Sequence, residues 1–190
     1  MTAFPDRKSR GFSLAELLMG IVIVGLLVSL AMPSFRDMMR NAEVRNAAES
    51  IANGLQRARA EAVARNTNVE FVLGTEFNPG TGLFVAGTPS SWAVRAVSAP
   101  NPPIESRSGT EGSSNVTVTA VAADLATAAT TVTFTNFGGV TANVPASEML
   151  RQVDLTAVGA TQNLRIRIEA SGAARMCDPS LAAGSSPRAC

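Results

Sequence analysis

The sequence predicts an α+β protein: a long N-terminal helix, its first half suited to a membrane, packed on an antiparallel β-sheet head. Three observations predict it. Residues 17–35 carry no charge. A helical pattern of apolar residues continues beyond them to about Arg65. After Asn66 the chain changes to short β-rich runs separated by Gly, Pro, Asn and Ser.

The chain starts with a basic cluster, Arg7, Lys8 and Arg10, against the single acid Asp6. Basic residues before an apolar span stay in the cytoplasm, so the remainder is expected on the far side of the membrane. The nineteen residues 17–35 (LLMGIVIVGLLVSLAMPSF) would span about 30 Å as a helix, the thickness of a bilayer core. A cleavable secretory signal would offer Ser29-Leu30-Ala31 as its cutting site. Two features speak against that. Glu16 lies inside what would be the signal's apolar region, where a charge is costly. The helical pattern also runs past the cut, with Phe35, Met38 or Met39, Ala42, Ile51, Leu55, Ala58 and Ala62 at three- or four-residue steps. Residues 36–66 are thus an amphipathic continuation of the 12–35 segment. Pro33, which lacks a backbone donor, is the expected kink, and Gly54 is a second weak point.

Beyond the helix, strands are expected at 69–73, 83–86, 92–97, 116–121, 131–135, 152–156 and 164–168. VTVT, TVTFT and LRIRI alternate, as strands with one buried face do. The runs follow one another without helices between them, so the pairing is expected to be antiparallel. Residues 99–115 (APNPPIESRSGTEGSSN) read as a long polar loop with little means of ordering itself. Residues 120–130 fit either a strand end or a short helix. No internal repeat is present.

The composition excludes much chemistry. The net charge is +1, and it becomes −1 once residues 1–11 are removed. Neither value gives a field that selects nucleic acid or acidic lipid. With no histidine, the commonest general base and the commonest transition-metal ligand are both missing. No nucleophile–base pair, phosphate-binding glycine loop or metal-ligand spacing occurs, so no catalytic residue, metal or cofactor is expected. Asp178 reads as a turn residue. Asn115-Val116-Thr117 matches a glycosylation acceptor, a pattern short enough to arise by chance. The two cysteines, Cys177 and Cys190, are spaced for one loop-closing disulfide rather than a CxxC site. That pairing suits the oxidising compartment to which the membrane segment would deliver the head.

Residues 10–16 read R-G-F-S-L-A-E and run directly into the apolar segment. This combination resembles the class III signal of type IV prepilins and pseudopilins, and the likeness extends over residues 7–66. The resemblance implies that a prepilin peptidase cuts between Gly11 and Phe12, and that the new amine of Phe12 is N-methylated. It also implies that Glu16 is the family's assembly glutamate and Pro33 its helix-breaking proline. Physics supports the positions. Glycine at the cut gives close backbone access. A carboxylate near hydrocarbon needs a partner, which the Phe12 amine of the same or a neighbouring subunit supplies. The alternative is a plain signal anchor in which Glu16 reaches the headgroups.

The C-terminal half (TVTFTNFGGV, RQVDLT, LRIRIEASGAARMCDP) also looks like the closing segments of the H-type minor pseudopilin and FimT/FimU minor pilin family. There, a strand, a Ser-Gly turn and an Arg-x-Cys strand precede a small disulfide loop. The resemblance therefore implies a pilin-like fold and a non-enzymatic minor subunit of a type IV pilus, working at the start or tip of the filament. Its partners would be other pilin or pseudopilin subunits, the prepilin peptidase and the inner membrane, with the head in the periplasm. The rival is an H-type pseudopilin of a type II secretion system. One branch of the family binds DNA through a Gly-Arg-x-Arg pattern. Here Ala173 replaces the first arginine, leaving Arg165, Arg167, Arg175 and Arg188 as possible contacts. Beyond residue 66, seven arginines face nine acidic residues, so strong DNA binding is not favoured.

Overall fold

The structure, a computed structural model, describes residues 12–190. The leader, with Arg7, Lys8, Arg10 and Gly11, lies outside them. The chain divides after Arg36 into two compact units. One helix, α1 (Leu14–Ala64), starts in the first and ends in the second, and its helical backbone continues through Pro33.

Within the second unit, α1 ends on a left-handed residue. Asn66 has φ 51°, its N–H donates to Val63 O at 3.3 Å, and Thr67 N–H reaches back to Ala62 O at 3.2 Å. These two bonds satisfy carbonyls that a helix end leaves unpaired, and asparagine tolerates the backbone they need. The chain then enters β1 (Val69–Leu73), a hairpin of β2 (Thr75–Asn78) and β3 (Leu83–Ala86), β4 (Trp92–Ala96) and β5 (Glu105–Arg107). It continues with β6 (Val116–Val121), β7 (Thr131–Phe134) and β8 (Val140–Thr141). The last strands are β9 (Gln152–Ala157), β10 (Leu164–Ile168) and β11 (Ala174–Cys177).

These strands form a five-stranded sheet ordered β5-β4-β1-β7-β8, a four-stranded sheet ordered β11-β10-β9-β6, and the β2-β3 hairpin. All the strand ladders are antiparallel, as the uninterrupted succession of strands predicts. Residues 149–151 tie the sheets together: Leu150 N–H donates to Thr131 O at 2.8 Å and Arg151 N–H to Val121 O at 2.9 Å. One core serves both sheets. Phe71, Val94, Val132 and Phe134 from the first meet Val153, Leu155, Ile166 and Ile168 from the second, around Val44, Ile51 and Leu55 of the helix.

The structure corrects the sequence reading in three places and, at residues 120–130, decides for a strand end, since β6 runs to Val121. Phe35, Met38, Met39 and Ala42 are exposed, and the buried stripe of α1 begins at Val44 and continues through Ala47, Ala48, Ile51, Leu55, Ala58 and Ala62. Residues 120–130 hold no helix: Asp124 Oδ1 accepts the N–H groups of Ala126 and Thr127 and closes a turn, with Leu125 at φ 60°. Strands β2, β5 and β8 were not anticipated, since two to four residues, mostly polar in β5, are too few to alternate. The 99–115 segment is ordered by a partly buried polar cluster. Ser91 and Ser108 hydroxyls donate to Glu76 Oε1 at 2.6 and 2.8 Å, Gly109 N–H donates to Ser91 Oγ at 2.9 Å, and Ser113 bonds to Gly109 O at 2.9 Å. Glu76 lies outside the segment it orders, so the segment's own composition does not reveal the order.

At Gly54 helix and sheet approach closely. A Cβ there would stand 2.8 Å from the Phe71 ring and 2.9 Å from the Trp92 ring. Those rings stack at 5.8 Å, and Trp92 Nε1–H is fixed by donating to Ser50 Oγ at 2.9 Å. The glycine that looked like a weakness in the helix is what lets it seat. Gly54→Ala should lower stability by about 1–2 kcal/mol, overpacking outweighing the gain in helix propensity. Thermal denaturation of the detergent-solubilised chain checks this.

The hydroxyls of Ser91 and then Ser108 hold the Glu76 carboxyl below its ordinary value. A depressed carboxyl contributes stability that is fully present above its unfolded-state value, about 4.3, and is lost as pH falls through the folded value. Wild-type melting temperature should therefore drop below about pH 4.5. Glu76→Gln should be less stable than wild type at neutral pH and show a shallower acid limb.

Candidate assembly segment and the arginine face

The described chain opens with Phe12 and Ser13, and α1 begins at Leu14. Ser13 caps it: its Oγ accepts the Glu16 N–H at 3.2 Å, and its backbone carbonyl accepts from Glu16 and Leu17 at 3.1 Å. Ser-Leu-Ala-Glu is thus the S-x-x-E start of a helix. Glu16 occupies the first turn, where the helix dipole favours a negative charge. This gives Glu16 a local structural role, and the spacing from Ser13 was the signal for it.

From Phe12 to Met32 every residue is exposed, Phe12 itself by 84%. The helix is long and apolar enough to cross a membrane, and none of its apolar window is buried. The core helix of a soluble protein would be mostly covered. Gly20 and Gly25 have nothing near them that a methyl group would meet.

At the other end of the sequence, Cys177 and Cys190 are bonded, with Cα atoms 5.1 Å apart. The loop they close is built on Asp178, whose Oδ1 accepts the hydroxyl and N–H of Ser180 at 2.6 and 2.9 Å. Those bonds, then the nearby Arg188, hold the Asp178 carboxyl below its ordinary range. Its own N–H donates to Arg188 O at 2.7 Å, so residues 187–190 run beside the end of β11. Asp178 is a turn residue, as its lack of partner carboxylates suggests.

The four arginines singled out in the sequence do not form one patch. Arg165 and Arg167 lie on the open face of β10, and Arg167 pairs directly with Arg175 across to β11. Arg151, which sequence reasoning missed because it is distant in the chain, joins these three around one hollow. Arg188 lines a separate hollow with Arg45, Glu49 and Asp178. Arg165 is also engaged, its Nε 2.6 Å from Asp154 Oδ1. The Ser-Gly turn before β11 has a packing cause: Gly172, at φ 79°, lies so close to Gly138 that a Cβ would stand 2.0 Å from its carbonyl oxygen.

Residues 47–176 match the family described as Type II transport protein GspH. The chain belongs to this family of GspH-type pseudopilins and minor pilins. Residues 6–32 match the prokaryotic N-terminal methylation motif, the class III signal. No curated protein matches the chain. Two crystal structures of the type IV minor pilin FimU from Pseudomonas aeruginosa strain PAO1 are similar to it. The P21 form has a TM-score of 0.51 at 21% identity, over 75% of this chain and 94% of FimU. The P65 form has a TM-score of 0.47 at 20% identity, over 74% and 98%. The P21 form shows the shared fold, a long N-terminal helix on antiparallel sheets. Members of the GspH family are structural subunits, not enzymes. The signal and the apolar helix fit anchoring in the inner membrane before assembly.

The disulfide gives a direct test. Removing it with Cys177→Ser/Cys190→Ser should cost about 3 kcal/mol, the chain-entropy value for a loop of this length. Protein exported to the periplasm should show no titratable thiol after denaturation, whereas two thiols would contradict the pairing.

Proposed function

We propose that this GspH-family chain is a minor structural subunit of a type IV pilus. It joins the filament through its N-terminal helix, with its head first in the periplasm, and helps initiate assembly or connect a tip complex to the shaft. The observation that carries this reading is the wholly exposed stretch from Phe12 to Met32, uncharged after Glu16. Such a surface needs a bilayer before assembly and the equivalent helices of other subunits after it. Cleavage after Gly11 would place the free amine of Phe12 four residues before Glu16. Moving into a bundle of apolar helices, the carboxylate requires a cation, and pairing it with a neighbour's amine fixes the axial stagger between subunits. Pro33, just after that stretch, is where the helix would bend, because proline leaves a backbone donor missing.

The likeness to FimU, a type IV minor pilin, supports the pilus. The family's description as type II transport supports the second reading, an H-type minor pseudopilin of a type II secretion system. A DNA-uptake role has less support, because Arg188 stands apart and Arg165 is bound to Asp154.

Sheared appendages analysed by mass spectrometry should contain the chain at low copy number, starting at a methylated Phe12. Deleting the gene should abolish surface pili and leave protein secretion intact; the opposite pattern would select the secretion system. Gly11→Val should stay uncut in the membrane. Glu16→Ala should still be inserted and cut but enter filaments poorly, and normal incorporation would remove the pairing role assigned to Glu16.

A further inference from the structure

On the open face of the β11-β10-β9-β6 sheet, charge is arranged against stability. Arg167 and Arg175 stand directly opposite each other on β10 and β11, and like charges in that position repel. Arg165 shares their face, with Cys177 as its partner across the strands. Arg151 completes the set, its guanidinium 3.4 Å from Ile168 O. The four line a hollow of about 690 Å³, and Glu169 is the one carboxylate residue among those lining it.

Three of the guanidinium groups have partners. Arg165 meets Asp154, which also accepts from Gln152 at 2.7 Å, Arg175 donates to Pro187 O at 2.8 Å, and Arg151 reaches Ile168 O. Arg167 is exposed and has no hydrogen bond or ion pair among the described residues. Guanidinium donors match a carboxylate two to two, so Arg167 has the chemistry to take one.

The flanks of the hollow narrow the choice. Beside β11 it is bounded by the Cys177–Cys190 loop, and at the β6 side by the turn carrying Ala123 and Leu125. Leu125 is 62% exposed and has φ 60°, a backbone that strains a branched side chain. The Asp124 bonds to Ala126 and Thr127 hold the turn in that shape. An apolar lip on the same hollow as these guanidinium groups suits a polypeptide that carries both a carboxylate and an apolar side chain. A nucleic-acid backbone fits less well, because it needs a run of unengaged cations along a track, and Arg188 lines a different hollow.

We propose that this hollow binds an acidic, leucine-bearing segment of a partner polypeptide, its carboxylate held by Arg167 and Arg175 and its apolar side chain against Leu125. The inference does not depend on which filament the chain joins.

Fluorescence polarisation tests it with the full chain in lipid nanodiscs, empty nanodiscs giving the baseline. The probe is a short fluorescein-labelled peptide of alternating glutamate and leucine. It should bind saturably with a Kd of about 100 μM or tighter. Arg167→Glu should weaken binding about tenfold or more. Leu125→Ser should weaken it less, and Arg188→Glu should leave it unchanged. A peptide with lysine in place of glutamate should not bind. Arg167→Thr should lose affinity while its melting temperature holds or rises, because the repulsion with Arg175 is gone; this separates lost binding from lost fold. Unsaturable binding, or equal binding by Arg167→Glu, overturns the proposal. A labelled DNA duplex that binds more tightly than the peptide and is released by Arg167→Glu also overturns it, and assigns the face to nucleic acid.

Discussion

The head depends on one packing constraint: two sheets share a single helix as the centre of their core. The buried stripe of α1 is made largely of small residues, Ala47, Ala48, Ala52, Gly54, Ala58 and Ala62, interrupted by Val44, Ile51 and Leu55. Small residues let the sheets come close, so the large side chains that fill the interior come mainly from the strands. Phe71, Trp92 and Phe134 approach from the first sheet, and Leu155 and Ile166 from the second. The helix contributes to the one core that both sheets share, so it stabilises both through the same residues. The bonds of Leu150 to Thr131 and Arg151 to Val121 then fix the sheets to each other.

Polar groups inside this head serve as fasteners. Asn143, almost fully buried, accepts from the Thr133 hydroxyl and donates to the Thr131 and Glu148 carbonyls, fixing the connection from β8 to β9. Glu70, also buried, is paired with Arg95, which in turn lies over the Phe84 ring at 4.8 Å. Among the described residues no buried side-chain nitrogen or oxygen lacks a partner.

Much of this was legible in the sequence because it rests on strong local patterns. The charge-free run, the R-G-F-S-L-A-E segment and the alternating VTVT, TVTFT and LRIRI strands each carry their own signal. What was not legible depends on contacts between distant residues. The helical pattern starts at Phe35, about two and a half turns before burial does, because Phe35, Met38 and Met39 are as apolar as core residues. Only the extent of the sheets decides that burial begins at Val44. The order of residues 99–115 comes from Glu76, and the arginine hollow needs Arg151 from before β9 beside Arg175 from β11. Gly54 reads as a helix defect until Phe71 and Trp92 are seen across from it. The cap at Ser13 could have been read, since Glu16 follows it at the capping-box spacing.

The borders of the two sheets bear on life in a crowd. The five-stranded sheet ends on β5, three polar residues, and on β8, two residues. The four-stranded sheet ends at β11, whose last residue is followed by a bridge to the disulfide-closed tail, and at β6, whose last residues are already engaged. Ala129 N–H donates to Ala120 O, and Ala122 N–H to Thr127 O. Unsatisfied strand borders invite another chain to add itself, and the risk rises with local concentration. Subunits gathered by their apolar helices would hold many identical heads side by side. Borders this short or this well covered let such heads stay close neighbours without fusing into a continuous sheet.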